Sequence, residues 1–298
     1  MVDFAKKAAE ARLLREIRER PSPERFRRFV RLREEARLMK ELVGGPGPHS
    51  EDPVIAVNRF CNVDREDDAV TRYIAHFRAV YQYDERGADF LVPQVLAMRV
   101  WNHPPTLDAI MPVDDPAATS KALRELRDRG EKTMRGAYMM PVHGSAGQGR
   151  SADDYYLAAV EQARQMRWRP LRSLRQVAEQ LMGLQGIGEF LANQVCADLR
   201  YTTLYCDAPD VSTFVLCGPG TRRGLDRYVD LADPKKLGTG AQAAYVERLL
   251  KIRDELADEG HRLAKTFRDP NNLSNCFCEW DKHERVLQGE VKSLHRYP

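Results

Sequence analysis

Apolar residues recur along this chain at the three- and four-residue spacing of amphipathic helices, and almost nowhere at the alternating spacing of a strand. Residues 3–19 and 24–42 read as two helices broken at Pro21-Ser22-Pro23, with Ser22 or Pro23 opening the second. Gly44-Gly45-Pro46-Gly47-Pro48 ends that second helix and is the clearest linker. Ala69, Val70, Tyr73, Ile74 and Phe77 mark the next helix. Phe90, Leu91, Val95, Leu96, Val100 and Trp101 predict a helix over 88–102, stopped by His103-Pro104-Pro105. Short helices follow at 106–110 and 116–130, then longer ones at 153–167 and 171–183. Between them, residues 136–142 read as extended or irregular and 143–151 as a polar loop without the Gly-Lys-Ser/Thr of a phosphate loop. Further on, residues 201–206 read as coil or a short extended piece, Pro209 to Phe214 as a helix start and Gly218 to Leu225 as a glycine-rich turn. Helices at 240–259 and 260–266 precede a break at Asp269-Pro270-Asn271-Asn272. Many helices and almost no strand predict an all-α fold.

The most informative stretch is Leu184-Gln185-Gly186-Ile187-Gly188-Glu189-Phe190-Leu191-Ala192-Asn193-Gln194-Val195. An apolar helical run leads into it, two glycines turn the chain, and a second helix starts at once. Gly186 and Gly188 allow the turn to expose consecutive backbone N–H groups, while Ile187 plugs the hairpin. Such N–H groups at a helix N-terminus suit a phosphate oxygen and grip DNA without reading its sequence. Gly186, Ile187 and Gly188 are therefore the expected DNA contacts of a helix-hairpin-helix over 174–199, of the kind DNA glycosylases carry. The alternative is an αα-corner that uses its glycines only to turn.

Length and charge narrow the class. At 298 residues with 43% hydrophobic content the chain supports one large domain or two lobes. It has no apolar run long enough for a bilayer and no signal peptide, so a soluble cytoplasmic protein is expected. The six cysteines are scattered and fit a reducing compartment, and Cys276-Phe277-Cys278 is too tight for ordinary zinc spacing. Net charge is only +3, yet eleven basic residues crowd positions 12–40. That cluster suits phosphate, or else a solvated helix laced with Glu–Arg pairs.

Four polar constellations carry candidate chemistry. Asn62, Arg65 and Asp68 stand together before the helix that starts near Ala69, either as cap and surface pairs or around a polar ligand. Asp210 follows the hairpin and heads the next predicted helix, as an N-cap, as a group that takes up a proton, or as both. Gly218-Pro219-Gly220-Thr221-Arg222-Arg223-Gly224 offers two adjacent guanidiniums to a phosphate, unless both are simply solvated. In Glu279-Trp280-Asp281-Lys282-His283-Glu284-Arg285, Asp281 and Arg285 are spaced for an ion pair, and Lys282 and Arg285 for converging on one anion.

Phe60-x-Asn62-Val63-x-Arg65-Glu66-x-Asp68, Gly136-Ala137-Tyr138, the hairpin, Gly218-Pro219-Gly220-x-Arg222-Arg223-Gly224-Leu225 and Cys278-Glu279-Trp280-Asp281-Lys282-x-Glu284-Arg285 together resemble the α-glutamyl/putrescinyl thymine pyrophosphorylases of phages. These amino acid:DNA transferases branch from the helix-hairpin-helix glycosylases and are related to the helical part of 5-hydroxymethyluracil DNA kinases. The resemblance spans about residues 26 to 290 and implies a two-lobed helical glycosylase-like fold, while the linker at Gly44 to Pro48 divides a basic helical segment, 1–48, from a catalytic domain, 49–298. It implies double-stranded DNA carrying a modified thymine as one partner and an amine donor, such as glycine or putrescine, as the other. The amine would displace pyrophosphate from a 5-pyrophosphoryloxymethyl group. Asp210 would accept the amine proton, with Asp281 or Glu279 in reserve, and Lys282 would assist catalytically. Arg222, Arg223, Arg285, Arg65, Asn62, Asp68 and Glu279 would hold substrate and pyrophosphate. No metal or organic cofactor is needed, and a monovalent cation at the hairpin is the one ion the scheme allows. A monofunctional DNA glycosylase and a non-catalytic DNA-binding module are the rival expectations. Phe190 stands where bifunctional glycosylases carry their lysine, so Schiff-base chemistry is not expected.

Overall fold

The computed structural model describes residues 22–45, 49–134, 151–229, 242–258 and 264–291. Their regular structure is thirteen α-helices and one short 3-10 turn, with no β-strand among the described residues. In chain order the helices are α1 (Pro23–Val43), α2 (Pro53–Val57), α3 (Ala69–Tyr81), α4 (Ala88–Trp101), α5 (Pro104–Ile110), α6 (Pro116–Asp128), α7 (Ala152–Gln165), α8 (Leu174–Met182), α9 (Glu189–Leu199), α10 (Pro219–Tyr228), α11 (Gln242–Asp258), α12 (Ala264–Phe267) and α13 (Pro270–Leu287). The protein is all-α, as its periodicity predicts. The expected helix at 3–19, the 136–142 stretch and most of the polar loop after it lie outside the described residues.

The described chain forms two compact units. One runs from Ala69 to Leu216 and is built around α4, in which only Asp89 escapes burial. Leu91, Val95, Leu96, Met98 and Trp101 pack with Ala159 and Val160 of α7 and with Val195 and Leu199 of α9. A helix apolar on every side must be covered on every side, which is why α4 sits at the centre. Its one interior charge, Arg99, meets Asp198 through Nε at 2.5 Å and Nη2 at 2.8 Å. A buried pair of this kind adds little net stability, but losing one partner strands the other in an apolar core.

The hairpin belongs to this unit. Ser173 and Gln176 form a capping box that starts α8. Gly186 then turns the chain at φ +76°, and a Cβ there would lie 2.5 Å from the Tyr155 ring. Ile187 is 4% exposed and plugs the turn, while Gly188 begins α9 with no side-chain cap.

Two local expectations are corrected here. Pro209 to Phe214 is a turn, not a helix start. The Asp210 carboxylate does cap a helix, but α8 rather than its own: its two oxygens accept the N–H groups of Leu174 and Arg175 at 2.9 and 2.8 Å. With its side chain spent there, the segment closes a single turn through Phe214 N–H to Asp210 carbonyl at 2.7 Å and then runs irregularly to Gly218. Conversely, Gly218 to Leu225 is not a turn: Pro219 sits in the first turn of α10 and the glycines continue into the helix.

The other unit takes in the chain up to Asp68 and again from Cys217 on. It is organised around α13. On α10, Gly220 and Gly224 lie four residues apart on one face, and that face presses against α13. A Cβ at Gly220 would meet Cys278 Sγ at 2.5 Å, and one at Gly224 would meet the Phe277 carbonyl oxygen at 2.2 Å. These glycines serve helix contact rather than ligand approach. α1 closes another side, with Phe26 stacked on Phe277 at 4.2 Å and set edge-on to Trp280 and Tyr228. The basic N-terminal cluster is partly spent in the fold, since Arg37 pairs with Glu34 and Glu41 and Arg25 with Glu284. Gly224→Ala is expected to lower stability in urea unfolding by more than about 2 kcal/mol, because the obstacle is backbone and not a movable side chain. A variant as stable as the parent would show that the two helices part freely.

Candidate functional site

The second half of α13 carries six ionisable groups between Glu279 and Arg285. The helix starts on an Asp269 cap that accepts the Asn271 N–H at 2.8 Å, followed by Pro270. Further along, Glu279, Asp281, His283 and Glu284 are each 6% exposed or less. Burying a charge costs several kcal/mol unless it is paired and hydrogen-bonded. Each of the four has partners, and these fall on three sides of the helix.

The first side holds a loop. Asn272, Asn275, Glu279 and Lys282 share one face, at steps of three, four and three residues. Asn272 Oδ1 accepts the Arg65 N–H at 3.1 Å, and Asn275 Nδ2 donates to the Asn62 carbonyl at 3.2 Å. Glu279 Oε2 accepts the Cys61 N–H at 3.1 Å, and Lys282 Nζ donates to the Arg59 carbonyl at 2.6 Å. As α13 advances, its partners step backwards from 65 to 59, so the loop runs antiparallel along the helix. Lys282 also donates to Glu279 at 3.3 Å and lies 4.9 Å from the Phe60 ring centroid. From α1, Arg33 donates to the Cys61 carbonyl. Asp68 closes the Arg65–Asp67 turn through its N–H to the Arg65 carbonyl at 3.0 Å. The expected residues Asn62, Arg65, Asp68, Glu279 and Lys282 thus belong to one assembly.

The second side faces α10. Asp281 accepts Arg223 Nε at 2.8 Å and Arg227 Nε at 3.1 Å. Arg223 is half exposed and meets only Asp281 among the described residues. Arg227 reaches both Glu290 oxygens at 3.0 Å, and Arg285 Nε lies 3.7 Å from the same carboxylate. The expected Asp281–Arg285 pair is not formed, because Asp281 is taken by α10. Lys282 and Arg285 do not converge either, since Lys282 is drawn to the loop. Arg222 and Arg223 also part company: on a helix, neighbours point about 100° apart. Arg222 turns to the Cys217 carbonyl and to Gln242, both at 2.7 Å.

On the third side, His283 Nε2 stands 3.2 Å from Asp52 and Nδ1 stands 3.3 Å from Glu284, whose oxygens also take Arg25 at 2.9 and 2.8 Å. Burial alone would hold the imidazole below its ordinary value of 6.5, but the bonds to Asp52 and Glu284 outweigh it and lift His283 to about 9. Burial pushes the carboxyls of Asp52 and Glu284 the other way, but the cation between them leaves both below the usual carboxylate range. Cys276 and Cys278 are both pushed up to about 11, chiefly by burial, and pack as neutral thiols.

Asp210 and the Gly186-Ile187-Gly188 turn stand in the other unit. Asp210 is partly exposed, whereas Glu279 and Asp281 are buried. Sequence reasoning missed Arg227, Asn272, Asn275 and the Asp52–His283–Glu284–Arg25 cluster. The first three carried a signal, being four residues after Arg223 and seven and four before Glu279. Asp52 carried none, since it lies far upstream of its histidine.

An all-helical chain of this kind now has a family. The family model described as "5-hmdU DNA kinase, helical domain" matches residues 21–293, which takes in every described helix. The chain belongs to that family. It is 25% identical over 222 residues to a 5-hmdU DNA kinase of Bacillus phage SP10. That match covers 66% of this chain and 35% of the phage protein, so the chain spans about a third of the relative's length. No solved structure matches it. Among the described residues, no helix is long and apolar enough to cross a membrane.

The His283 pair makes a pH prediction. A group whose value is raised on folding stabilises fully below its unfolded value and loses that contribution as pH rises through the folded one. Here the window runs from 6.5 to about 9, and the full effect is roughly 3 kcal/mol for so buried a group. The melting temperature should therefore fall across that window and level off above it. In His283→Gln the fall should be absent, and an unchanged slope in that variant would move the titration to another group.

Proposed function

We propose that this protein acts on duplex DNA carrying a thymine-like base with an oxygenated 5-methyl group, and that it replaces a pyrophosphate on that methylene with an amine. The carrying observation is the family match over residues 21–293, to a domain named for 5-hmdU in DNA. In the reaction the methylene C–O bond breaks and a C–N bond forms. Pyrophosphate leaves with the bonding electron pair, and the amine gives up one proton to a carboxylate.

The geometry is compatible with that chemistry. Charge builds on the leaving group in the transition state, and guanidiniums already in position stabilise it without reorganising. Arg223 is such a group: the buried Asp281 holds its Nε and leaves its terminal nitrogens facing outward, half exposed. Asp281 is then the residue that positions Arg223, and Lys282 and Glu279 hold the loop carrying Asn62 and Arg65. Asp210 remains our choice for the proton acceptor, because it alone of the three carboxylates reaches solvent appreciably. Each of its oxygens accepts one backbone N–H and keeps a further lone pair. The Gly186-Ile187-Gly188 turn, which leads straight into α9, is our candidate for the DNA backbone contact.

A second reading is favoured by the relative's name and length: the chain corresponds to the helical portion of a 5-hmdU DNA kinase. One experiment separates the two. The protein is incubated with DNA bearing 5-pyrophosphoryloxymethyluracil and glycine or putrescine, and in parallel with 5-hmdU DNA and ATP. Each sample is digested to nucleosides and weighed by mass spectrometry. An aminomethyl-linked nucleoside in the first arm is expected. A phosphorylated nucleoside in the second arm alone would replace the transfer reading with the kinase one. Arg223→Gln should slow transfer by about 100-fold, and Asp210→Asn should abolish it while DNA binding holds, with a melting temperature lowered by the loss of one bond to the start of α8.

A further inference from the structure

In the unit that spans Ala69 to Leu216, Arg86, Asp89, Phe90, Gln94, Asp114, Arg164, Arg167 and Arg169 line a recess of about 340 Å³. That volume lies at the small end of ligand sites. Its floor is built, since Gln94 is 1% and Phe90 6% exposed.

Arg164 and Arg169 are anchored on backbone carbonyls, whereas Arg86 is held by Asp84 and Asp114 as well as by a ring. Arg169 donates to the Arg86 carbonyl at 2.9 Å and the Glu85 carbonyl at 2.5 Å, and Arg164 donates to the Asp114 carbonyl. Arg86 lies over the Phe90 ring at 3.7 Å. A carbonyl or a ring fixes a guanidinium without cancelling its charge. The two carboxylates are already engaged. Asp89 Oδ1 accepts the N–H groups of Trp168 and Arg169 at 2.5 and 3.0 Å. Asp114 meets Arg86 at 3.4 Å and Gln94 at 3.5 Å. Arg86 also binds Asp84 outside the lining at 2.8 Å, but Arg167, 87% exposed, comes no closer than 3.8 Å to Asp89. With Asp84 counted, four guanidiniums meet three carboxylates, which leaves one positive charge in excess around the recess.

We propose that this recess is a phosphate-recognition site, taking either a free phosphoanion or a backbone phosphate of DNA. Convergent guanidiniums from two separate stretches of chain, held before the ligand arrives, match an anion with several oxygens better than a single carboxylate. None of the groups assigned to the transfer reaction lines the recess, so the proposal stands or falls apart from that reading.

The test titrates full-length protein with inorganic pyrophosphate by calorimetry, and with unmodified duplex DNA by fluorescence anisotropy over a salt series. The Arg164→Gln/Arg167→Gln variant is compared with the parent. Pyrophosphate affinity lower by about tenfold or more in the variant identifies a free phosphoanion as the ligand. Unchanged or absent pyrophosphate binding, with weaker DNA binding and a salt slope smaller by about 1 to 2, identifies a backbone phosphate. Affinities equal to the parent's in both titrations overturn the proposal. Should the double variant melt early, Arg167→Glu alone gives the same comparison at an exposed side chain.

Discussion

The unit built on α13 depends on a ladder of four side chains, Asn272, Asn275, Glu279 and Lys282, that hydrogen-bonds the backbone of residues 59–65. That loop has no regular structure beyond one 3-10 turn, so its polar groups need partners from elsewhere. α13 supplies them in register, alternating acceptor, donor, acceptor and donor. The same helix presses a second face against the glycines of α10 and a third against α1 and Asp52. Enclosed on three sides, it has to carry its charges inside, and the pairing of those charges specifies which neighbour lies on which side.

This constraint changes what the polar residues can do. A carboxylate that accepts two guanidiniums, as Asp281 does, is a good anchor. A lysine bonded to a carbonyl and a glutamate is equally committed. The groups that the anchors hold in place but do not saturate remain open to a ligand, and Arg223 is the clearest of them. The same division recurs in the other unit, where carbonyls hold Arg164 and Arg169 while Asp84 and Asp114 engage Arg86. Anchoring through neutral groups keeps a cation available, and anchoring through acids spends it.

Family membership rests on the whole helical body and not on any one motif, because the match runs from before α1 to beyond α13. The phage relative is about three times as long as the shared portion. The helical body is thus a part that occurs within a larger protein, and its activity in this chain is a matter for the transfer and kinase assays.

The periodicity of apolar residues by itself determined the all-α class, the position of most helices and the αα-turn at Gly186, because each depends on neighbours a few residues apart. It also marked the four polar stretches, and three of them do meet in one unit. Their partnerships were decided only by tertiary structure. Asp210 reads as the cap of its own helix but caps α8, and its segment stays a turn. Gly218 to Leu225 reads as a turn, since two glycines and a proline favour one, yet the close approach of α13 makes those glycines the only residues that fit a helix there. Asp281 reads as the partner of Arg285 one turn away, but Arg223 and Arg227 on α10 claim it. Spacing along the chain ranks local pairs alone, whereas in the folded protein a buried charge goes to whichever opposite charge the packing brings nearest, however distant in sequence.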